Sequence, residues 1–315
     1  MRRWTAIALA CVLLFFAFIL PSAARAALSA GAARVDITPQ KGVPLGGYSD
    51  RQGKPSTGVH DPVCAKALVL DDGQTRLAIV SLDLLDPPPG MREAVFAQLD
   101  GALTNIQNLL LCATHTHSAP AAMDPKGDFL PQVLGKYDKQ LYDDTARLIA
   151  EAIKQAGARL VPAKAGVDSI YVYGFNRNRR DEFGHTAFDP ELTVLKVTGA
   201  ENNVLALLVN FSAHATILDA DNMLVSAEWP GAMERYLEER FLGAVAIFIN
   251  GAQGDQSPVA PAADNIWDRV EGCGEKLAEH VAALVPKIEA SDSVPLAGAV
   301  QDTALPLSLI HISEP

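Results

Sequence analysis

The feature that most constrains this chain is the segment 109–118. There an apolar run of strand length, Leu109-Leu110-Leu111-Cys112-Ala113, stops at Thr114-His115-Thr116-His117-Ser118. Residues two apart on a strand point to the same face. A buried strand would therefore deliver two imidazoles side by side at its C-terminal edge, where open α/β sheets place their ligands. Neutral imidazole is a common metal ligand, and a His-x-His strand end would supply two nitrogens to one zinc ion. The alternative is a pair of surface or hydrogen-bonded histidines, and the spacing alone leaves both readings open.

The rest of the chain interleaves strand-like and helix-like patterns. Residues 33–39 alternate and stop at a proline. Residues 65–70 and 77–82 read as two strands joined by the hairpin turn Asp71-Asp72-Gly73-Gln74. Residues 91–103 have helical spacing, and 137–156 form a longer amphipathic helix with Leu141, Thr145, Leu148, Ile149, Ala152 and Ile153 on one side. Residues 163–173 and 192–197 read as further strands, 228–240 and 268–284 as further helices. This order predicts a mixed α/β domain, with a central sheet or sheets flanked by helices and the site at the C-terminal ends of strands, rather than a sandwich or a bundle.

Two more apolar runs also end in reactive residues. Residues 204–211 lead into Ser212-Ala213-His214, and 245–249 lead into Asn250-Gly251-Ala252-Gln253-Gly254-Asp255-Gln256-Ser257-Pro258. Three convergent endings point to one site. His115, His117 and His214 would make a three-histidine zinc site. Alternatively one member of the His-x-His pair ligates, and the other orients substrate or carries a proton.

The N-terminus has the layout of a secretory signal peptide. Arg2 and Arg3 precede an apolar stretch over 4–20, Pro21 and Ser22 break it, and Ala24-Arg25-Ala26 is an A-x-A cleavage pattern. The expectation is export, secreted or periplasmic, with cleavage near Ala26 and no membrane-spanning segment afterwards. Loss of residues 1–26 removes three arginines and no acid, taking the formal charge from −11 to −14. So acidic a protein would repel nucleic-acid phosphates. Cys64, Cys112 and Cys273 would remain: too few for a disulfide scaffold, enough for one pair, with Cys112 expected in the core.

At this point the motifs resemble the neutral (alkaline, non-lysosomal) ceramidases. The matching segments, in order, are 31–39, Gly46-Gly47-Tyr48-Ser49, Gly58-Val59-His60, the run from Ala113 through His115 and His117 to Pro120, the 176–179 loop, 189–195, Phe211-Ser212-Ala213-His214 and 250–258. The resemblance implies a zinc amidase that cleaves the N-acyl bond of ceramide-like sphingolipids, with a lipid partner met at a membrane surface. It implies His115 and His214 as metal ligands and Ser257 as nucleophile. It places two further ligands, a glutamate and a tyrosine, downstream of this chain, so 27–304 reads as a catalytic domain that continues; separately, residues 307–315 look like translated adaptor sequence, so 305–315 reads as a non-native tail. It also shows a departure: Ala119 and Ala121 stand where the family's histidine motif runs on into glycines. From the residues alone, a water molecule activated by zinc is an alternative attacking group, with Ser257 only lining the site.

Other residues complete the expectations. His117 is assigned proton transfer. Gly47 and Tyr48, in the glycine-rich loop 42–58, and Arg177 and Arg179, in a basic run that ends at Arg180, are assigned substrate contacts. Asp83, at a strand end, is expected to support an imidazole. His60, His185 and His280 read as lone histidines outside the site, and the Asn210-Phe211-Ser212 glycosylation pattern lies inside an apolar strand. Two other classes stay open: a metal-dependent hydrolase of another amide, ester or phosphate, and a catalytically silent lipid-binding protein.

Overall fold

The computed structural model describes residues 27–125, 131–180 and 187–303. The signal-peptide segment, His185 and the tail at 305–315 lie outside the described residues. The strands are β1 (Ser29–Asp36), β2 (Gly58–Val59), β3 (Cys64–Asp71), β4 (Arg76–Leu82), β5 (Leu109–Ala113), β6 (Val161–Tyr171), β7 (Asn176–Asn178), β8 (Glu191–Gly199), β9 (Val204–Phe211), β10 (Leu224–Val225), β11 (Val245–Asn250) and β12 (Gln256–Pro258). The main helices are α1 (Met91–Phe96), α2 (Lys139–Ala158), α3 (Glu228–Arg240) and α4 (Ile266–Leu284).

Eight strands form one sheet in the order β11-β9-β8-β6-β1-β3-β4-β5. Its two halves join only where Ser29 and Ala30 pair with Pro162 and Val161. The halves fold onto one another about that joint. Leu28, Ala30, Ala32, Leu68 and Leu70 of one half pack against Ala163, Ala165, Val197, Ala206 and Ile247 of the other. Half of these side chains are alanines, interleaved with leucine, valine and isoleucine across the seam. Helices α1 and α2 cover the outer face of the first half, and α3 and α4 cover that of the second. The mixed α/β expectation holds. The expectation against a sandwich is corrected, because the two halves of the sheet do stack between the helices.

Local sequence explains the elements. Asp138 caps α2, accepting hydrogen bonds from the amides of Gln140 (3.0 Å) and Leu141 (3.1 Å). The predicted stripe of that helix is buried, except for half-buried Leu148. The helix rests directly on β1, where a Cβ on Gly31 would fall 2.2 Å from the Ala156 carbonyl oxygen. The hairpin 65–82 forms as β3 and β4, and the Asp72 side chain accepts from the amides of Gln74 and Thr75 in its turn. Strand β5 is an edge strand rather than a buried one. Leu110 is half exposed and Cys112 half-buried. Cys64, Cys112 and Cys273 are free. Among the described residues, no helix is long and apolar enough to cross a membrane.

Candidate metal centre

His115 and His214 follow strands that lie far apart in the sheet order, β5 at one edge and β9 beside the other. The folding of the sheet brings their ends together, and the chains after them meet directly. Thr116 and Ala215 form a parallel bridge, and the His117 amide donates to the Ala215 carbonyl (3.3 Å). The convergence read from the three strand endings therefore comes from the stacking of the sheet, not from adjacent strands. Asn250, at the end of β11, ties the two arms. Its side-chain amide donates to the carbonyls of Thr114 (3.1 Å) and Ala213 (2.9 Å), the residues just before the two histidines.

The ring centroids lie 4.7 Å apart for His115–His214, 5.0 Å for His115–His117 and 5.5 Å for His117–His214. One nitrogen from each ring falls within 4.8 Å of the other two. Strand parity does not cause this. β5 ends at Ala113, and His115 adopts a left-handed backbone (φ 63°), a conformation that histidine tolerates better than most residues and that collects at functional sites.

The outer nitrogens of two rings are fixed. His115 Nδ1 lies 2.6 Å from the Leu85 carbonyl oxygen and His214 Nδ1 lies 2.7 Å from that of Gln253. A carbonyl only accepts, so both Nδ1 atoms carry the proton and both Nε2 lone pairs are left for a ligand. Both nitrogens of His117 are buried without a hydrogen-bond partner. Burial holds all three imidazoles below the ordinary histidine range, to about 3 for His117 and about 4 for His214. The neighbouring imidazoles and the Arg179 guanidinium add to this. Three neutral imidazoles, two with locked tautomers and one with orphaned nitrogens, fit a borderline-soft cation such as zinc.

The other assigned residues sort around this core. Gly47 has φ 97°, and a Cβ there would lie 2.2 Å from His117 Nδ1. The Tyr48 ring sits 4.8 Å from the His117 ring, and its hydroxyl donates to the Leu218 carbonyl (3.0 Å). Burial pushes that phenol up to about 12. Arg179 donates twice to the Gly254 carbonyl and places Nη2 3.1 Å from His214 Nε2. A metal and this guanidinium therefore compete for one lone pair. Exposed Arg177 stands opposite Ser257 in the β7–β12 pair. The neighbouring Gln256 carbonyl accepts from the His214 amide (3.0 Å), so Ser257 lies one residue from that contact; its own hydroxyl hydrogen-bonds to none of the three histidines.

Asp83 is a correction. It shares strand parity with Ser81, whose hydroxyl donates to the Phe248 carbonyl across the seam, so it points inward and away from the imidazoles. Its carboxylate accepts from the Cys64 amide (2.9 Å) beside the buried Lys66–Glu234 ion pair. Burial and then Glu234 push it up to about 8. The two fixed imidazoles are supported by carbonyls instead. His60 stacks on Trp267 with centroids 3.6 Å apart. His280 lies on α4.

With this geometry in place, residues 28–283 match the sequence model of the neutral/alkaline non-lysosomal ceramidase N-terminal domain. The chain belongs to the neutral ceramidase family. It is 29% identical over 274 residues to the neutral ceramidase of Pseudomonas aeruginosa, covering 81% of this chain and 40% of that protein. It is 29% identical to that of Drosophila melanogaster (72% and 36%) and 26% identical to that of Mycobacterium tuberculosis (73% and 40%). The chain thus spans about two-fifths of the length of the curated relatives it matches. The crystal structure of the Pseudomonas ceramidase shares the fold, with a TM-score of 0.75 at 24% identity over 83% of this chain and 45% of that one. Within this ceramidase-family domain, sequence reading missed Asn250 as a tie between the ligand arms. It also missed Arg51, which lies in the glycine-rich loop and is buried.

Proposed function

We propose that this chain is part of an exported zinc-dependent amidase that cleaves the N-acyl bond of ceramide-like sphingolipids, releasing fatty acid and a sphingoid base. The observation that carries the reading is the cluster of His115, His117 and His214, with two outer nitrogens held by carbonyls and two nitrogens left orphaned. Family membership supplies the substrate class, since the matched relatives are named neutral ceramidases.

His115 and His214 would hold the ion through Nε2. Zinc, when bound, polarises a carbonyl and lowers the pKa of water. The chain's own residues supply the rest. His117, neutral and without a partner, is placed to take a proton from the attacking group and return it to the nitrogen of the leaving amine as the C–N bond breaks. Arg179, whose Nη2 lies 3.1 Å from His214 Nε2, would stabilise the oxygen on which charge develops. Ser257 and water remain the two candidate attacking groups. No histidine hydrogen-bonds to the Ser257 hydroxyl, which favours water. The glycine-rich loop, Arg177 of β7 and Arg179 just after it would contact the lipid, presented at a membrane surface.

The test is release of fatty acid from an N-acyl sphingoid base by the longest reading frame containing this chain, with and without chelator. The expected result is turnover that stops on chelation and returns with zinc. Ser257→Ala should retain a substantial share of the rate if water attacks, and lose nearly all of it with zinc still bound if serine does. Intact ceramide alongside cleavage of an unrelated ester or phosphate would overturn the substrate assignment. For export, the mass of protein recovered outside the cytoplasm should correspond to a chain beginning near Ala27; recovery with residues 1–26 attached contradicts cleavage.

A further inference from the structure

Arg51 is buried, with 2% of its surface exposed, yet among the described residues it forms no ion pair with a carboxylate. Its guanidinium donates instead to four main-chain carbonyls: Gly46 (3.0 Å) and His117 through Nη1, Asp219 (3.0 Å) through Nη2, and Ala220 (3.3 Å) through Nε. These carbonyls come from three separate segments, the glycine-rich loop, the His-x-His arm and the arm that follows His214. The guanidinium also stacks 4.9 Å over the Tyr48 ring.

The three segments share a task. His115 and His214 are oriented by carbonyls on Nδ1, whereas His117 has no hydrogen bond on either nitrogen. Its ring is placed by packing alone, between Gly47, where a Cβ would fall 2.2 Å from Nδ1, and the Tyr48 ring at 4.8 Å. Tyr48 is anchored to Leu218, in the arm that Arg51 also holds. Glu228 grips that arm from behind, accepting from the amides of Ile217 and Leu218.

We propose that Arg51 is the positioning residue of His117: it fixes the His117 main chain and the Gly46–Tyr48 wall in one frame, and so sets where the unbonded imidazole points. A planar fork of five N–H donors can bridge carbonyls in fixed directions. A lysine ammonium offers three donors at one point and cannot span the same set. The proposal rests on reading the histidine cluster as a metal centre.

The experiment records imidazole ¹H–¹⁵N spectra of histidine-labelled wild type, Arg51→Met and Arg51→Lys, which read the placement of the His117 ring directly, with a Co²⁺ titration and thermal melts alongside. Wild type should bind one Co²⁺. Arg51→Met should shift and broaden the His117 ring resonances, assigned by their loss in His117→Ala, while the His115 and His214 resonances and the Co²⁺ affinity stay near wild type; Arg51→Lys should fall between. Val69→Ala, a core change beneath α2, is the control: it should lower the melting temperature and leave the spectrum unchanged. If both Arg51 variants melt lower but keep the wild-type His117 resonances, Arg51 is structural only and the proposal fails. If Arg51→Met does not fold, the Arg51→Lys spectrum decides on the same terms. A wild type that binds no Co²⁺ overturns the metal reading and this inference with it, an outcome distinct from silent Arg51 variants.

Discussion

The two ways in which this centre holds its imidazoles differ in kind. His115 and His214 are each fixed by a carbonyl on Nδ1, supplied by Leu85 and Gln253, loops that follow the neighbouring strands β4 and β11. His117, a few ångströms away, is held by shape alone, against Gly47 and Tyr48. A carbonyl lock selects a tautomer and aims a lone pair, which is what a permanent ligand needs. A ring held by packing keeps both nitrogens available, which suits a group that takes up and gives back a proton. For the function proposed above, the contrast fits two ligands and one proton carrier.

The sharpest way to break this contrast is to remove one ring at a time. His115→Ala and His214→Ala should each weaken zinc binding by on the order of 100-fold or more, measured by competition with a chromophoric chelator. His117→Ala should leave the metal content near one and slow turnover by about 10²-fold. Equal metal loss in all three variants would mean a three-histidine site and abolish the distinction. Gly47→Ala tests the packed ring specifically. Its backbone is left-handed and its Cβ would collide with His117 Nδ1, so it should cost about 1–3 kcal/mol of stability and reduce turnover more than metal affinity. The smallest effect lies outside the centre. Burial pushes the Asp83 carboxyl from its ordinary 3.8 to about 8. Its protonated form therefore favours the fold, a contribution fully present below about pH 4 and lost as pH rises toward 8. Asp83→Asn should flatten the dependence of the denaturant midpoint over that window; an unchanged slope would show that Asp83 does not titrate there.

The same contrast marks what the sequence made legible. The histidine ends of β5 and β9 could be read because each apolar run stops abruptly just before a histidine, and the hairpin of β3 and β4 because Asp71-Asp72-Gly73-Gln74 interrupts clean strand patterns. Family motifs in order across the chain did the rest. The folding of the sheet was hidden, because the inner-facing Ala30, Ala163 and Ala206 look the same in a flat sheet as in a stacked one. Asp83 was misplaced because a strand end alone does not say which face its last side chain takes. Arg51 was missed because only the meeting of segments far apart in sequence shows the carbonyls it gathers. Long-range convergence, unlike local periodicity, leaves no trace in spacing.

The central claim is that His115 and His214 hold one metal ion while His117 stands beside it. X-ray absorption on the zinc-loaded chain tests it most directly, comparing wild type with His117→Ala. The expected wild-type result is one zinc per chain with imidazole nitrogen at about 2.0–2.1 Å, and an imidazole scattering contribution that His117→Ala leaves unchanged. Loss of one imidazole from the shell in His117→Ala, or a wild-type chain that retains no zinc, would contradict it.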